Sequence, residues 1–358
     1  YGILLHMKFF RKNNTKNLDF VAVGDMVIDA FIRLNDESHA QVNQKADGSK
    51  DIILPFGDKI PFEFAKEVVA VGNSANAAVS AARLGLQTGL IVNIGADDNG
   101  KKCLAQLELE KISTDFVKTH TGKNTNYHYV LWYKDERTIL IKHELFEYSL
   151  PDIGTPKVLY LSSVSENALP FHDTLADYLE KNQSVQLVFQ PGTYQMKWGT
   201  EKLARIYKRT NIFFCNVEEA ERILGIGSQP RTRAFVQSLL DGIRALGPIL
   251  PVITDGPNGV YTYTCDANST IDYNTIIHLD KYPDIAPPYE RTGAGDAFAS
   301  TFAVARTLGL TVPNSLKWAS INSMNVCQHI GAQEGLQTRD QIEEYIQKAP
   351  LDWDIAVL

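Results

Sequence analysis

Between residues 158 and 254 the chain alternates short apolar runs with helical stretches, and this alternation limits its fold more than any other feature. Val158 to Leu161, Val185 to Phe189, Ile212 to Cys215 and Leu250 to Thr254 read as strands, with helical stretches near 170–181, 200–207, 217–224 and 230–243. Strands alternating with helices argue for a mostly parallel sheet covered on both faces. The earlier chain adds a strand in Phe20 to Ile28 and a helix capped by Asn73 or Ser74 that runs to Leu84 and is closed by Gly85. A strand at Leu90 to Ile94 and a helix capped by Asp98 or Asn99 and running through Leu109 come next. A late β pair, Gly259 to Thr264 and Ile271 to His278, precedes two closing helices near 295–308 and 313–328.

Two segments break this rhythm. Residues 31–64 are too long for a plain loop and hold a β-like patch, Ile52 to Pro55, so they read as strands leaving the core, as a lid would. Tyr127 to Tyr133 and Thr138 to Ile141 flank the polar turn Lys134-Asp135-Glu136-Arg137, a hairpin candidate that would complete the lid.

Ligands bind at the carboxyl ends of strands in such sheets. The polar residues expected there are Asp25, Asp29, Asn216, Glu219, Thr254, Asp255 and the loop 293–296. In that loop Gly293, Ala294 and Gly295 lead into the apolar run Ala297 to Ala305, which suits a helix start whose free N–H groups hold an anion. Asp296 follows directly. A carboxylate beside an anion site is repelled by it, unless its task is to take a proton from a hydroxyl attacking a phosphoryl group. Asp296 would then act as general base, and the N–H groups of Gly293 to Gly295 would stabilise the charge building on the transferring oxygens. An ordinary aspartate pKa of about 4 would suffice.

The remaining constellations each carry two readings. Thr254-Asp255-Gly256-Pro257-Asn258-Gly259 is a β-turn or a surface on which nucleotide phosphates lie. Asn216-Val217-Glu218-Glu219 is a capped helix start or a polar pair that holds water on a Mg²⁺ ion carrying ATP phosphates. An aspartate at 25 or 29 is a turn residue or an acceptor for vicinal sugar hydroxyls. Gly72 and Asn76 would add close backbone approach and a side-chain amide, or Asn76 is a polar residue on an exposed helix face. His329 reads as a helix C-terminal histidine. No Walker A or protein-kinase motif occurs, and the spaced glycines of a dinucleotide fold are missing, which disfavours a dehydrogenase.

Composition closes other routes. A net charge of −7 over 358 residues disfavours nucleic acid as a partner. Four cysteines without a CxxC pair suggest neither a disulfide framework nor a zinc site. No apolar run reaches membrane-spanning length, and Tyr1 to Lys16 lack the apolar core of a secretory signal, so a cytoplasmic setting is expected.

Thr292-Gly293-Ala294-Gly295-Asp296-Ala297-Phe298 resembles the second signature of the ribokinase-like (PfkB) carbohydrate kinase family. Gly72-Asn73-Ser74-Ala75-Asn76, Ala81 to Gly85, Ile94 to Gly100, Asn216 to Glu219, Thr254 to Gly259 and Gly331-Ala332-Gln333 resemble other family segments in the same order. The resemblance covers roughly residues 18–347. It implies one α/β kinase domain over 18–347, a central mostly parallel sheet between helices, and a small β-sheet lid from parts of 30–62 and 124–142. It also implies transfer of a phosphoryl group from ATP, with Mg²⁺, to a primary hydroxyl of a sugar or sugar-containing small molecule. By resemblance Asp296 is the general base and Gly293, Ala294 and Gly295 form the anion hole. Asp29, Gly72 and Asn76 contact substrate, Asn216 and Glu219 organise Mg²⁺, and Thr254, Gly256 and Gly259 form the nucleotide loop. Glu290 stands where potassium-activated members carry aspartate, which implies a monovalent-cation site. Val71 replaces the first glycine of the usual pair, and Thr301 replaces a glycine of the second signature. A nucleoside kinase of the same fold and a non-catalytic nucleotide- or sugar-binding protein are the competing readings. A phosphosugar acceptor would want positive residues near the lid; Arg137 and Lys142 are available, but they read first as solvated hairpin charges. Pairing of lid strands would give a homodimer.

Overall fold

A computed structural model describes residues 18–45, 50–134, 136–265 and 270–358 of the chain. The expectation for Tyr1 to Lys16, and Asp135 of the expected turn, lie outside these residues. Among the described residues the main sheet has ten strands. Seven are mutually parallel, in the order Leu250–Thr254, Thr210–Asn216, Gln186–Phe189, Val158–Leu161, Phe20–Val23, Thr88–Gly95, Val117–His120. Val260–Cys265, Ile271–Leu279 and Ala356–Val357 extend one edge antiparallel. The central strands are buried along their whole length, as expected when helices cover both faces.

The expected strand Phe20 to Ile28 is two strands in two sheets. Phe20–Val23 lies in the main sheet, and Val27–Arg33 begins an accessory one. The break falls at Gly24, where the chain passes so close to its neighbours that a Cβ would lie 2.8 Å from Ser162 and Ser74. The accessory sheet orders Phe64–Val71, Val27–Arg33, Asn126–Tyr133 and Glu136–Leu140, and Gln41–Gln44 pairs separately with Lys50–Ile53.

Several caps differ from expectation. Gly72 precedes the helix Asn73–Arg83, and neither Asn73 nor Ser74 caps it. Ser74 Oγ instead donates to the Asp25 carbonyl at 3.1 Å. Asp97 caps Asp98–Leu109 by accepting from the Gly100 N–H at 2.8 Å. The stretch expected near 200–207 is two helices, Thr193–Lys202 and Ala204–Arg209, the first kinked at Gly199 (φ 80°). A further helix, Arg339–Gln347, capped by Thr338 with Gln341, went unforeseen.

The closing helices Ala294–Thr307 and Val312–Val326 pack on each other, and the first also packs on Asn73–Arg83. At this junction Ser80 Oγ lies 3.3 Å from Thr301 Oγ1, which accepts from Asn322 Nδ2 at 2.7 Å; all three residues are fully buried. Thr301 is thus accommodated by partners for its hydroxyl. No helix among the described residues is long and apolar enough to cross a membrane.

Candidate active site

Asp296 stands in the first turn of Ala294–Thr307, and its carboxylate is gripped by three carboxamides. Oδ1 accepts from Asn73 Nδ2 at 2.7 Å and Gln190 Nε2 at 3.1 Å, and Oδ2 accepts from Asn76 Nδ2 at 2.8 Å. Two of these amides are oriented from behind. The Tyr160 hydroxyl donates to Gln190 Oε1, and Gln333 Nε2 donates to Asn76 Oδ1 at 3.0 Å, which turns each NH₂ toward Asp296. Burial pushes the Asp296 carboxyl above its ordinary pKa, and the three amides pull it back. The sequence-based expectation of an ordinary value therefore needs revision upward.

The helix begins at Ala294 with Gly293 as its cap in the left-handed region (φ 82°). Helix geometry leaves the N–H groups of Ala294, Gly295 and Asp296 without intrahelical acceptors, one residue later than the Gly293 to Gly295 set expected. Gly293 has no room for a side chain, since a Cβ would sit 2.2 Å from that of Ala332. This packing makes the closing segment Gly331-Ala332 part of the site's frame.

Two cavities meet over this helix start and share Thr254, Gly295 and Phe298. One, of about 460 Å³, is lined by Asn73, Gln190, Lys197, Asn216, Glu219 and Arg222 among others. The other, of about 260 Å³, is more apolar, with Pro257, Val260, Leu279, Pro288 and Met324 on its walls beside Gly256 and Gly259. A polar chamber with two cations joined to a more apolar slot could take a nucleotide, with phosphates at one end and a base at the other. Asn216 and Glu219 form a reciprocal capping box, Asn216 N–H to Glu219 Oε2 at 2.9 Å and Glu219 N–H to Asn216 Oδ1 at 2.8 Å. The capping reading of this pair therefore holds, and both residues still face the polar cavity. Burial raises the Glu219 pKa above its ordinary value. Thr254-Asp255-Gly256 is also a turn, with Asp255 held by Arg231 at 3.2 Å.

Asp29 is 8% exposed, and its Oδ1 takes no hydrogen bond among the described residues, although His128 Nδ1 lies 3.3 Å away. His128 Nε2 meets His143 Nε2 at 3.2 Å, and His143 Nδ1 is 3.4 Å from Asp25 Oδ2. Asp25 is further held by the Tyr148 hydroxyl and by Ser165 Oγ at 2.8 Å. Gly72 (φ 109°) closes on this group; a Cβ there would lie 2.6 Å from the Asp25 carbonyl oxygen. A run of side-chain contacts thus leads from Asp29 through His128 and His143 to Asp25, against whose backbone Gly72 packs, while Asn76 binds Asp296 directly.

Glu290 is buried, its side chain 2% exposed. Oε1 accepts from the Thr292 N–H at 2.8 Å and the Thr292 hydroxyl at 2.5 Å, Oε2 accepts from the Gly331 N–H at 3.4 Å, and Arg137 Nε lies 3.5 Å from Oε1. These surroundings do not fit a monovalent cation. The carboxylate already has a counter-charge, and two unit positive charges about 4 Å apart repel by about 4 kcal/mol at an effective dielectric of about 20.

Residue-type reasoning missed Asn73, Gln190, His128 and His143. Gln190 follows the strand Gln186–Phe189 directly, so the strand-end rule applied to every strand would have found it. Asn73 carried a signal that was assigned to capping.

Against known proteins, the family model described as pfkB family carbohydrate kinase matches residues 56–339. The ribokinase of Bacillus subtilis is 26% identical over 291 residues, covering 78% of this chain and 88% of its own. The ATP-dependent 6-phosphofructokinase of Thermoanaerobacterium thermosaccharolyticum is 24% identical over 343 residues, covering 92% and 94%. The solved structure of Arabidopsis thaliana ribokinase complexed with ribose and ATP superposes with a TM-score of 0.73 at 19% identity, over 92% of this chain and 99% of that one. This last likeness is one of fold.

Proposed function

The chain belongs to the pfkB family of carbohydrate kinases, and from this premise we propose that it moves the γ-phosphoryl group of ATP to a primary hydroxyl of an uncharged sugar or sugar-containing small molecule. The observation that carries the reading is the Asp296 carboxylate, held by three amides at a helix start where a polar and an apolar cavity meet. The base of ATP lies in the apolar slot and its phosphates lie over Gly295 and the first N–H groups of the helix. Asp296 takes the acceptor's hydroxyl proton as that oxygen bonds to the γ-phosphorus. The bond from γ-phosphorus to the bridging oxygen breaks, giving ADP and a phosphate monoester. A general base of this kind is worth roughly 10²–10⁴ in rate, and the fixed N–H groups stabilise the oxygens' growing charge.

Asp29 supports the acceptor end of this reading. A buried carboxylate oxygen without a partner is rare, and a sugar hydroxyl donating to Oδ1 would satisfy it. The accessory sheet, which carries Asp29 and His128, acts as the lid of a single kinase domain over residues 18–347. Magnesium fits the polar cavity: Asn216 and Glu219 face it, and the capping bonds leave Glu219 Oε1 able to hold a coordinated water. A magnesium ion bound with ATP would offset phosphate charge there.

The family includes relatives named ribokinase and 6-phosphofructokinase, so family alone leaves the acceptor's charge open. The lid's cleft face favours an uncharged one. Side chains alternate along a strand, so Asp29, Phe31 and Arg33 share a face with their partners Val68, Lys66, His128 and Trp132. The cations of that face are matched: Lys66 with Glu334 at 2.5 Å, Arg137 with Glu290 at 3.5 Å, and Arg33 with Glu63 at 3.9 Å. Lys142 lines a separate cavity with Tyr127, whose hydroxyl binds Glu67 on the opposite face.

Asp296→Asn tests the proposal. Turnover should nearly vanish while ATP affinity stays close to the parent's, measured by kinetics and by nucleotide titration of the purified proteins. A turnover rate within threefold of the parent would sink the assignment.

A further inference from the structure

We propose that Arg137 does the work of a cation in this protein, as a positioning residue that holds the Glu290–Gly293 turn and makes phosphoryl transfer independent of monovalent salt. The inference rests on the kinase reading above, and one of its tests needs no turnover.

Glu290 is the pivot. Its carboxylate gathers the N–H and hydroxyl of Thr292 and the N–H of Gly331, so it fixes both the turn into the catalytic helix and the closing segment against which Gly293 packs. Those three donors are neutral. A buried carboxylate bound only by neutral donors keeps an uncompensated charge, which is strongly unfavourable. Arg137 supplies the missing positive charge: its Nε is buried without a hydrogen bond, and Glu290 is its ion-pair partner among the described residues.

Arg137 belongs to the lid. It sits opposite Trp132 in the strand pair Asn126–Tyr133 and Glu136–Leu140. Trp132 in turn packs edge-on against Tyr289 with ring centroids 5.0 Å apart. Neighbouring lid residues therefore dock on consecutive residues, 289 and 290, of the segment that leads to the catalytic helix. A cation drawn from solution would neutralise Glu290 whether the lid were docked or not. A guanidinium borne by the lid does so only when the lid is docked, so the helix start that receives phosphate is fully set only when the acceptor pocket is covered.

The test compares the parent with Arg137→Ala and Arg137→Lys. Turnover is measured with tetramethylammonium as the only monovalent cation, then with potassium or guanidinium added at low concentration. The parent should change less than twofold on adding either. Arg137→Ala should lose at least tenfold in kcat with little change in KM for ATP, and recover at least fivefold with potassium or guanidinium. Arg137→Lys should fall between the two. Melting temperature gives a reading without turnover: exchanging tetramethylammonium for potassium should raise it in Arg137→Ala and leave the parent unmoved. Potassium activation of the parent beyond threefold would overturn the proposal. So would an Arg137→Ala protein as active as the parent, or one whose rate and melting temperature no small cation restores. If the parent turns over no acceptor, the kinase reading fails, and the melting comparison still decides whether Arg137 replaces a cation.

Discussion

Removing Asn73's amide should move the pH dependence of the enzyme upward, and the size of the move can be worked out. Asn73 Nδ2 donates to Asp296 Oδ1 at 2.7 Å and makes no other side-chain hydrogen bond among the described residues. Asn73→Ala therefore deletes one charge-assisted bond without orphaning a third group. It should also spare the helix, since Asn73 is its first residue and not its cap. A hydrogen bond to a charged group is worth about 1.5–3 kcal/mol, and each pKa unit is about 1.4 kcal/mol, which bounds the shift at about 1–2 units. Asn76 and Gln190 remain, and Asn73 lines an open cavity that admits water, so about one unit is expected. The sign follows from what the donors favour. They stabilise the ionised carboxylate, so losing one adds to the upward push that burial already exerts. The base works ionised, and activity falls as pH drops through its pKa. The acid limb of kcat/KM for the acceptor, which reports the free enzyme, should thus shift to higher pH in Asn73→Ala, with the rate lost at low pH and regained above. A limb that stays in place or moves to lower pH in a folded variant would refute the assignment of Asp296 as the titrating base.

Other consequences can be checked more briefly. Gly259 (φ 89°) would bring a Cβ within 2.1 Å of the Leu279 carbonyl oxygen, whereas a Cβ on Gly256 (φ 52°) would have nothing within 4 Å among the described residues. Gly259→Ala should abolish ATP binding or folding, while Gly256→Ala should lose only about 1–2 kcal/mol of stability from its left-handed backbone and still bind ATP; equal damage in melting and titration experiments would contradict the geometry. In a magnesium-ATP turnover screen, free sugars and nucleosides should exceed their phosphorylated counterparts by at least tenfold in kcat/KM. A preference for phosphosugars would mean that Lys66 or Arg137 leaves its carboxylate on binding.

The sheet was legible because its strands are buried on both faces and therefore stand out as unbroken apolar runs, as in Val158–Leu161 and Leu250–Thr254. The same signal misled at Phe20 to Ile28, where apolar residues continue across the crossing from one sheet to another. Gly24 is the residue at the break, and its need to be glycine depends on Ser74 and Ser162, residues distant in sequence. The small-residue helix start and Asp296 were legible too, because a helix N-terminus and an adjacent carboxylate are both local features.

What was not legible is what controls the carboxylate. Asn73, Asn76 and Gln190 reach Asp296 across more than a hundred residues of chain, and their identities carry no charge to draw notice. Asn73 looked like a cap because asparagine before an apolar helix usually is one. Gly72 precedes the helix instead and frees the Asn73 side chain for the active site. Glu290 and Arg137 follow the same logic. The family resemblance placed a solvent cation at Glu290, and an arginine in a hairpin turn suggested a solvated charge. Docking the lid brings the two within 3.5 Å, and neither expectation survives. The chemistry of this site is thus written locally at Asp296, but its protonation and its neighbour's charge balance are set by contacts that exist only once the fold has closed.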